Sequence, residues 1–258
     1  MEESFVVASP TSKSALRSFA TVALLGAGGA AFCVLAILLA GEGNRSGWWD
    51  DRFAFGVLRW AAWGGLASAL IALIGGTLSM PGGPPRSVPL AAIAGVVLGS
   101  LVFAIPWAYQ ERGRDAPPIH DITTDTANPP RFVAVLPLRK NAPNSTDYAG
   151  AALAEQQRNA YPDIAPARLA VPPGDAFERA SSAARALGWE IVAMVPGEGR
   201  IEATDTTFFL GFTDDIVIRV APDGAGSRID VRSVSRTGRS DFGSNARRVR
   251  AFLRRLGR

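Results

Sequence analysis

The fold is decided by residues 199–253, GRIEATDTTFFLGFTDDIVIRVAPDGAGSRIDVRSVSRTGRSDFGSNARRVRAFL. Apolar side chains occupy alternate positions in residues 214–220 and again in residues 228–234. This period of two is typical of strands with one buried face and one solvated face. Residues 221–226, APDGAG, separate the two runs, and Gly and Asp tolerate the positive φ of a tight reversal. The pattern therefore predicts adjacent antiparallel strands.

An amphipathic helix closes this stretch. Its apolar positions recur at spacings of four and three, which predicts one buried stripe: Phe242, Ala246, Val249, Leu253 and Leu256. Asp241 is the predicted N-cap, and arginines cover the opposite face of the helix. A second helix and one further strand precede residue 199. The order helix, four strands, helix predicts a two-layer α+β domain, with a four-stranded antiparallel sheet and both helices on one sheet face.

Several motifs of this half of the chain resemble a known family. They are RIEATDTT, GFTDDIVIRV, RIDVRSVSR and GRSDFGSNARRVRAFL, preceded by HDITTD at residues 120–125, PPRF at 129–132 and AYPDI at 160–164. In this order they are similar to the domain-of-unknown-function family 1499, which occurs in bacterial envelopes and plant chloroplasts. The resemblance extends from about residue 120 to the C-terminus. It implies an envelope location and no established activity.

The preceding half reads as a membrane anchor. Apolar residues make up 48% of the chain and charged residues only 19%. Three apolar runs, at about residues 19–40, 55–78 and 88–109, are each long enough to cross about 30 Å of hydrocarbon. We predict an all-α membrane domain of three transmembrane helices at residues 1–111, a linker at 112–131 and the α+β domain at 132–258.

Three spans place the two termini on opposite sides of the bilayer. The count of basic residues beside the spans is nearly balanced and leans toward a cytoplasmic C-terminal domain, whereas the resemblance favours the extracytoplasmic side. We expect a multi-pass protein of the cell inner membrane with a periplasmic C-terminal domain. Small residues one turn apart, at Gly64 and Ser68 and at Gly95 and Gly99, predict close helix contacts and a helix-mediated homo-oligomer, although glycine is also common in such helices.

The residue inventory narrows the chemistry. One histidine and one cysteine, Cys33 inside a span, cannot form a usual zinc site or a thiol active site. We predict no catalytic residue, no metal and no cofactor. His120, Asp121 and Asp125 could hold a hard cation or act as acid and base, but local turn capping is the favoured interpretation.

The sheet face opposite the helices carries the most charge. Its predicted members are Glu202, Thr204, Thr206, Asp215, Arg219, Asp230, Arg232 and Arg236. They either form cross-strand ion pairs that keep the domain soluble, or leave a surplus of positive charge for an anionic group. The candidate ligand-binding residues are Arg219, Arg232, Arg236, Arg239 and Asp215. At the nearby turn, residues 237–241, capping by Asp241 is favoured over an anion site.

These features predict a membrane-anchored binding or scaffolding module of the cell envelope. Its expected partners are the lipid bilayer and an anionic lipid or envelope ligand. Because the aromatic residues of the last helix, Phe242 and Phe252, are interpreted as core or boundary residues, lipid headgroups are favoured there and nucleic acid is not expected. The alternative is a carboxylate-dependent hydrolase acting on an envelope substrate, with Asp205, Asp214 or Asp215 as the base.

Overall fold

A computed structural model describes residues 13–257. The first twelve residues of the predicted membrane domain lie outside the described residues. The chain divides into two compact units, one ending at Gln110 and one beginning at Glu111. We call them the helical unit and the C-terminal unit.

The helical unit contains three long helices, as predicted. They are α1 (Lys13–Arg45), α2 (Asp51–Ser79) and α3 (Ser87–Arg112). Each is long and apolar enough to cross a membrane. Asp50 starts α2, because its side chain accepts a hydrogen bond of 2.9 Å from the backbone N–H of Phe53. A one-turn 3-10 helix, Met80–Gly82, connects α2 to α3.

Glycines allow the three helices to approach closely. A Cβ atom added at Gly99 of α3 would lie 2.3 Å from the carbonyl oxygen of Gly65 of α2. One added at Gly75 of α2 would lie 2.3 Å from the backbone nitrogen of Ala23 of α1. Small residues therefore pack helix against helix within this chain. Association with a second copy stays a prediction.

The C-terminal unit is built on one antiparallel sheet of six strands. These are β1 (Asp121–Thr123), β2 (Ala167–Leu169), β3 (Glu190–Val195), β4 (Arg200–Thr206), β5 (Thr213–Asp223) and β6 (Gly226–Ser235). Strands β3 to β6 pair in sequence order, as predicted. The predicted count of four strands is wrong, because β1 and β2 both pair with the outer edge of β6. Each has only three residues, too few for a visible alternation.

Helices pack on one face of this sheet. They are α4 (Ala151–Ala160), α5 (Pro173–Ala186) and α6 (Ser244–Leu256). The alternate apolar residues of β4, β5 and β6 form the main core with α5 and α6. Trp189 stacks on Phe252 of α6 with ring centroids 5.4 Å apart. The face assignment made from the alternating pattern is thus correct for these strands.

The opposite sheet face is also covered. Residues 124–149, which we call the cover segment, place Phe132 and Val135 against Val217 and Val234 of the sheet. The predicted two layers therefore gain a third, irregular layer over this part of the sheet. Both β1 and the start of the cover segment lie inside the stretch that the sequence suggested as a linker.

Candidate functional site

Arg232 lies at the centre of the covered polar face. Its side chain is buried, with 2% of the residue exposed, and it binds both oxygens of Asp121 at 2.9 and 2.7 Å. Its remaining donors reach the carbonyl oxygens of Pro130 at 3.2 Å and Thr146 at 2.7 Å. The guanidinium also stacks 5.2 Å from the ring centre of Phe132. This two-point ion pair fastens β1 and the cover segment to β6.

Tyr148 packs on the same guanidinium, 5.4 Å from its ring centre. Burial, with a further contribution from the Asp121 carboxylate, raises the pKa of Tyr148 to about 12. Its buried hydroxyl has no hydrogen-bond partner within the described part of the chain. Tyr148 therefore serves as an aromatic cover for Arg232.

Asp215 forms a second buried cluster. Arg236 donates to its two oxygens at 3.0 and 2.8 Å, and Arg139 of the cover segment binds it from the other side. The same two arginines also donate to carbonyl oxygens of the cover segment, at Asn144 (2.9 Å) and Leu138 (3.2 Å). Two cations thus share one fully buried carboxylate.

Arg219 and Arg228 form a third cluster with Asp230 and Asp125. The closest contacts are 2.7 Å from Arg219 to Asp230 and 2.7 Å from Arg228 to Asp125. The other oxygen of Asp125 accepts two backbone N–H groups of its own turn, at 3.1 and 2.9 Å. The predicted turn-capping role of Asp125 is therefore present, together with an ion-pairing role that the sequence did not indicate.

Glu202 is fully buried and bonds to the backbone of the cover segment. Its carboxylate accepts the N–H groups of Val133, Ala134 and Val135 at 2.9 to 3.1 Å, and it pairs with Arg200. Three successive N–H groups aimed at one carboxylate form a concave anion site. In this protein an internal side chain fills it.

Four of the five predicted ligand-binding residues therefore belong to internal ion pairs. They are Arg219, Arg232, Arg236 and Asp215. The fifth, Arg239, is exposed, and its side chain forms no ion pair with the described residues. His120 lies beside it, with Nδ1 3.4 Å from the carbonyl oxygen of Arg239. Ligand binding at these five positions stays a prediction.

The aspartates considered as hydrolytic bases are also paired. Asp205 and Asp214 both bind Arg248 of α6 at 2.7 Å. Burial acts to lower the pKa of Arg248, but the two carboxylates outweigh burial and raise it. A shallow groove of about 300 Å³ opens beside Asp205 and is lined by Leu187, Trp189, Asp205, Ser244, Arg247, Arg248 and Ala251. Asp205, the carboxylate that lines this groove, is therefore already paired with Arg248 of the same chain.

Asp241 occupies the start of α6. Its two oxygens accept the N–H groups of Gly243 at 2.8 Å and Asn245 at 2.7 Å, so its side chain caps the start of the helix, although the N-cap position is Gly243 and not the predicted Asp241. Burial raises the pKa of this carboxyl, and the two N–H bonds oppose that shift. The donors that an external anion would need at this turn are already used.

Comparison with known proteins gives a family for the C-terminal unit. No curated protein and no solved structure matches the chain significantly. Residues 121–256, more than half of the 258 residues, match the family described as "Protein of unknown function (DUF1499)". The match begins at the first residue of β1 and ends at the last residue of α6. The chain therefore belongs to the DUF1499 family.

Proposed function

We propose that this protein is a membrane-anchored binding or scaffolding module of the cell envelope. The observation that carries this proposal is the charge balance of the C-terminal unit. Its buried carboxylates at Asp121, Glu202, Asp215 and Asp230 all pair with arginines of the same unit. Such pairs fix a conformation, and they hold these four carboxylates in ion pairs instead of leaving them free for acid–base chemistry.

The three apolar helices indicate a membrane environment. We place them in the inner membrane and the C-terminal unit on the periplasmic side. The resemblance to envelope proteins supports this side, whereas the nearly balanced basic residues beside the spans lean toward the cytoplasmic side.

Among the exposed cations, arginines beyond the end of β6 and on the outer face of α6 are the candidate contacts for an anionic partner. Arg239 lies at the end of the sheet, and Arg254 and Arg255 lie on the outer face of α6. Arg248 and Arg250, which the helical pattern also placed on that outer face, instead bind Asp214 and Asp163. Three arginines on two separate surfaces suit lipid headgroups better than one compact ligand.

A topology measurement tests the proposed location. A reporter that is active only outside the cytoplasm is fused after residue 258, and its control is fused after residue 83, in the link between α2 and α3. Because one span separates these sites, exactly one fusion should be active. Activity of the residue-258 fusion supports the envelope assignment, and activity of the residue-83 fusion contradicts it.

The module class is tested by crosslinking in cells and by an activity assay of the purified full chain. We expect photo-crosslinkers at Arg239 and Arg254 to form adducts with envelope components in cells, and a crosslinker at Ala225, in the β5–β6 turn, to form none of the same adducts. Hydrolysis of an envelope glycan or lipid by the purified chain, lost in Asp205→Asn but not in Asp223→Asn, would contradict a binding module.

A further inference from the structure

The β4–β5 hairpin ends in an exposed apolar loop. Residues 207–212, TFFLGF, contain no charge, and Phe208 is 89% exposed and Phe209 37% exposed. The loop is nevertheless well defined, because the N–H of Thr207 donates to the carbonyl oxygen of Phe212 at 2.8 Å, and that of Gly211 to Thr207 at 3.0 Å. The loop therefore presents uncharged aromatic side chains at the end of the hairpin.

Exposed apolar and basic side chains lie at the same end of the sheet. Arg236 marks this end, because its N–H donates to the carbonyl oxygen of Thr213 at the base of the hairpin. Its guanidinium reaches the carbonyl of Leu138, a residue that is itself 53% exposed. Lys140 follows Leu138 by two residues, and Arg239 follows Arg236 by three residues. Both Lys140 and Arg239 are exposed. We call Leu138, Lys140, Phe208, Phe209 and Arg239 the tip surface.

The chain enters the sheet at this same end. Asp214, at the base of the hairpin, pairs with Ser235, and the N–H of Ser235 donates to the carbonyl oxygen of His120 at 3.0 Å. Only residues 113–119 lie between His120 and the end of the last apolar helix at Arg112, so the connection is eight residue steps long. Eight residues span at most about 30 Å. A short covalent connection therefore joins this end of the sheet to the end of α3.

We propose that the tip surface docks into the lipid–water interface of the bilayer that holds α3. Phe208 and Phe209 supply apolar groups that enter the acyl boundary, and Lys140 and Arg239 supply cations at the height of the headgroup phosphates. A projecting apolar tip with basic neighbours fits a fluid lipid surface, and anionic lipid strengthens such binding. The inference rests on the membrane anchoring used in the proposed function, but not on which side the C-terminal unit faces.

Site-directed spin labelling of the full chain tests the docking. In a Cys33→Ala background, a nitroxide is attached through Phe208→Cys or, as the control, through Ala225→Cys at the opposite end of the sheet. Both proteins are placed in nanodiscs of phosphatidylcholine with or without phosphatidylglycerol. We expect the ratio of oxygen to nickel-chelate accessibility to be several-fold higher at position 208 than at 225, with a larger difference when phosphatidylglycerol is present.

A second label removes the concern that the nitroxide itself draws the loop into lipid. The label is attached through Leu138→Cys, and the loop carries either its native residues or Phe208→Asp with Phe209→Asp. Lipid accessibility at 138 should fall in the doubly substituted loop. When Lys140→Gln and Arg239→Gln are introduced instead, the lipid accessibility at position 138 should no longer respond to phosphatidylglycerol.

Two results would overturn the inference. One is equal water accessibility at positions 208 and 225 in both lipid mixtures. The other is dipolar broadening between labels at 208, which would show that a second copy covers the tip. Either result leaves the proposed function standing. A cytoplasmic C-terminal unit would refute the proposed location while the nanodisc measurement still held.

Discussion

At the scale of single residues, the cost of burying charge explains why the polar face is so fully paired. A carboxylate moved out of water loses several kcal/mol unless hydrogen bonds and a cation replace its hydration. Glu202 recovers that loss from three backbone N–H groups and Arg200. Because the N–H groups belong to the cover segment, Glu202 fixes this segment on the sheet.

We predict that Glu202→Gln lowers the free energy of unfolding of the C-terminal unit by about 3 kcal/mol. An amide offers one acceptor where the carboxylate offers two, and it leaves Arg200 without its buried partner. The matched control is Glu190→Gln, an exposed position on the neighbouring strand β3. Urea unfolding of the full chain, followed by the fluorine signal of fluorotryptophan at Trp189, measures both. Equal midpoints for the two variants would contradict the structural role of Glu202.

Asp241 predicts a specific pH dependence. Its folded-state pKa is raised from 3.8 by burial, so the folded state keeps this proton to a higher pH than the unfolded chain does. The stabilisation from the bound proton is complete below 3.8 and is lost as pH rises through the raised pKa. We therefore expect the free energy of unfolding of wild type, relative to Asp241→Asn, to fall as pH rises above 3.8.

Urea titrations of both proteins at a series of pH values, read from the Trp189 fluorine signal, check this difference. Asp175→Asn, at an exposed site in the first turn of α5, separates the effect of burial from that of the substitution. A difference between wild type and Asp241→Asn that rises across the window would show that the N–H bonds outweigh burial.

At the scale of secondary-structure elements, the sequence pattern predicted those strands and helices whose formation depends on residues close together in the chain. Alternation identified β4, β5 and β6 with their buried faces, and spacing identified α6, because each signal repeats over seven or more residues. The predicted buried stripe was wrong at Phe242, which precedes α6 and is exposed. The short strands β1 and β2 lacked such a repeat. The full course of the cover segment was not predictable for another reason: its position depends on contacts such as Arg139 with Asp215, 76 residues apart, which no local period encodes.

The same dependence on distant contacts explains why the sequence left two interpretations of the candidate site open, internal ion pairs or an anion-binding surplus. The sequence correctly placed Arg232 on the face opposite the helices, but its carboxylate partner lies 111 residues earlier, in β1. Arginines that were considered as surplus positive charge are in fact paired, Arg232 with Asp121 of β1 and Arg219 with Asp125 of the cover segment. Arg239 lies beyond the end of β6 and outside this covered area, so its exposure was predictable.

The helix contacts of the helical unit give an element-scale prediction. Gly99→Leu should destabilise this unit by about 1–3 kcal/mol, because the new side chain would collide with the backbone of α2 at Gly65. The control is Gly28→Leu in α1, where a Cβ atom meets nothing within 4 Å. Unfolding in mixed micelles with a rising fraction of dodecyl sulfate, followed by circular dichroism, compares the two. A larger loss for Gly28→Leu would contradict this packing.

At the scale of the whole molecule, the division at Gln110 predicts two separate unfolding units. Each has its own core, and urea weakens a packed aqueous domain far more than it weakens helices held in a micelle. In urea, Glu202→Gln should speed hydrogen exchange throughout β3 to β6 and leave α1 to α3 unchanged. Gly99→Leu should open the helices and leave the strands protected. Exchange mass spectrometry on the full chain reads both units at once, and wild type sets the reference. If either substitution opened both units together, the chain would unfold as a single cooperative body, and the stability of the C-terminal unit would depend on its anchor.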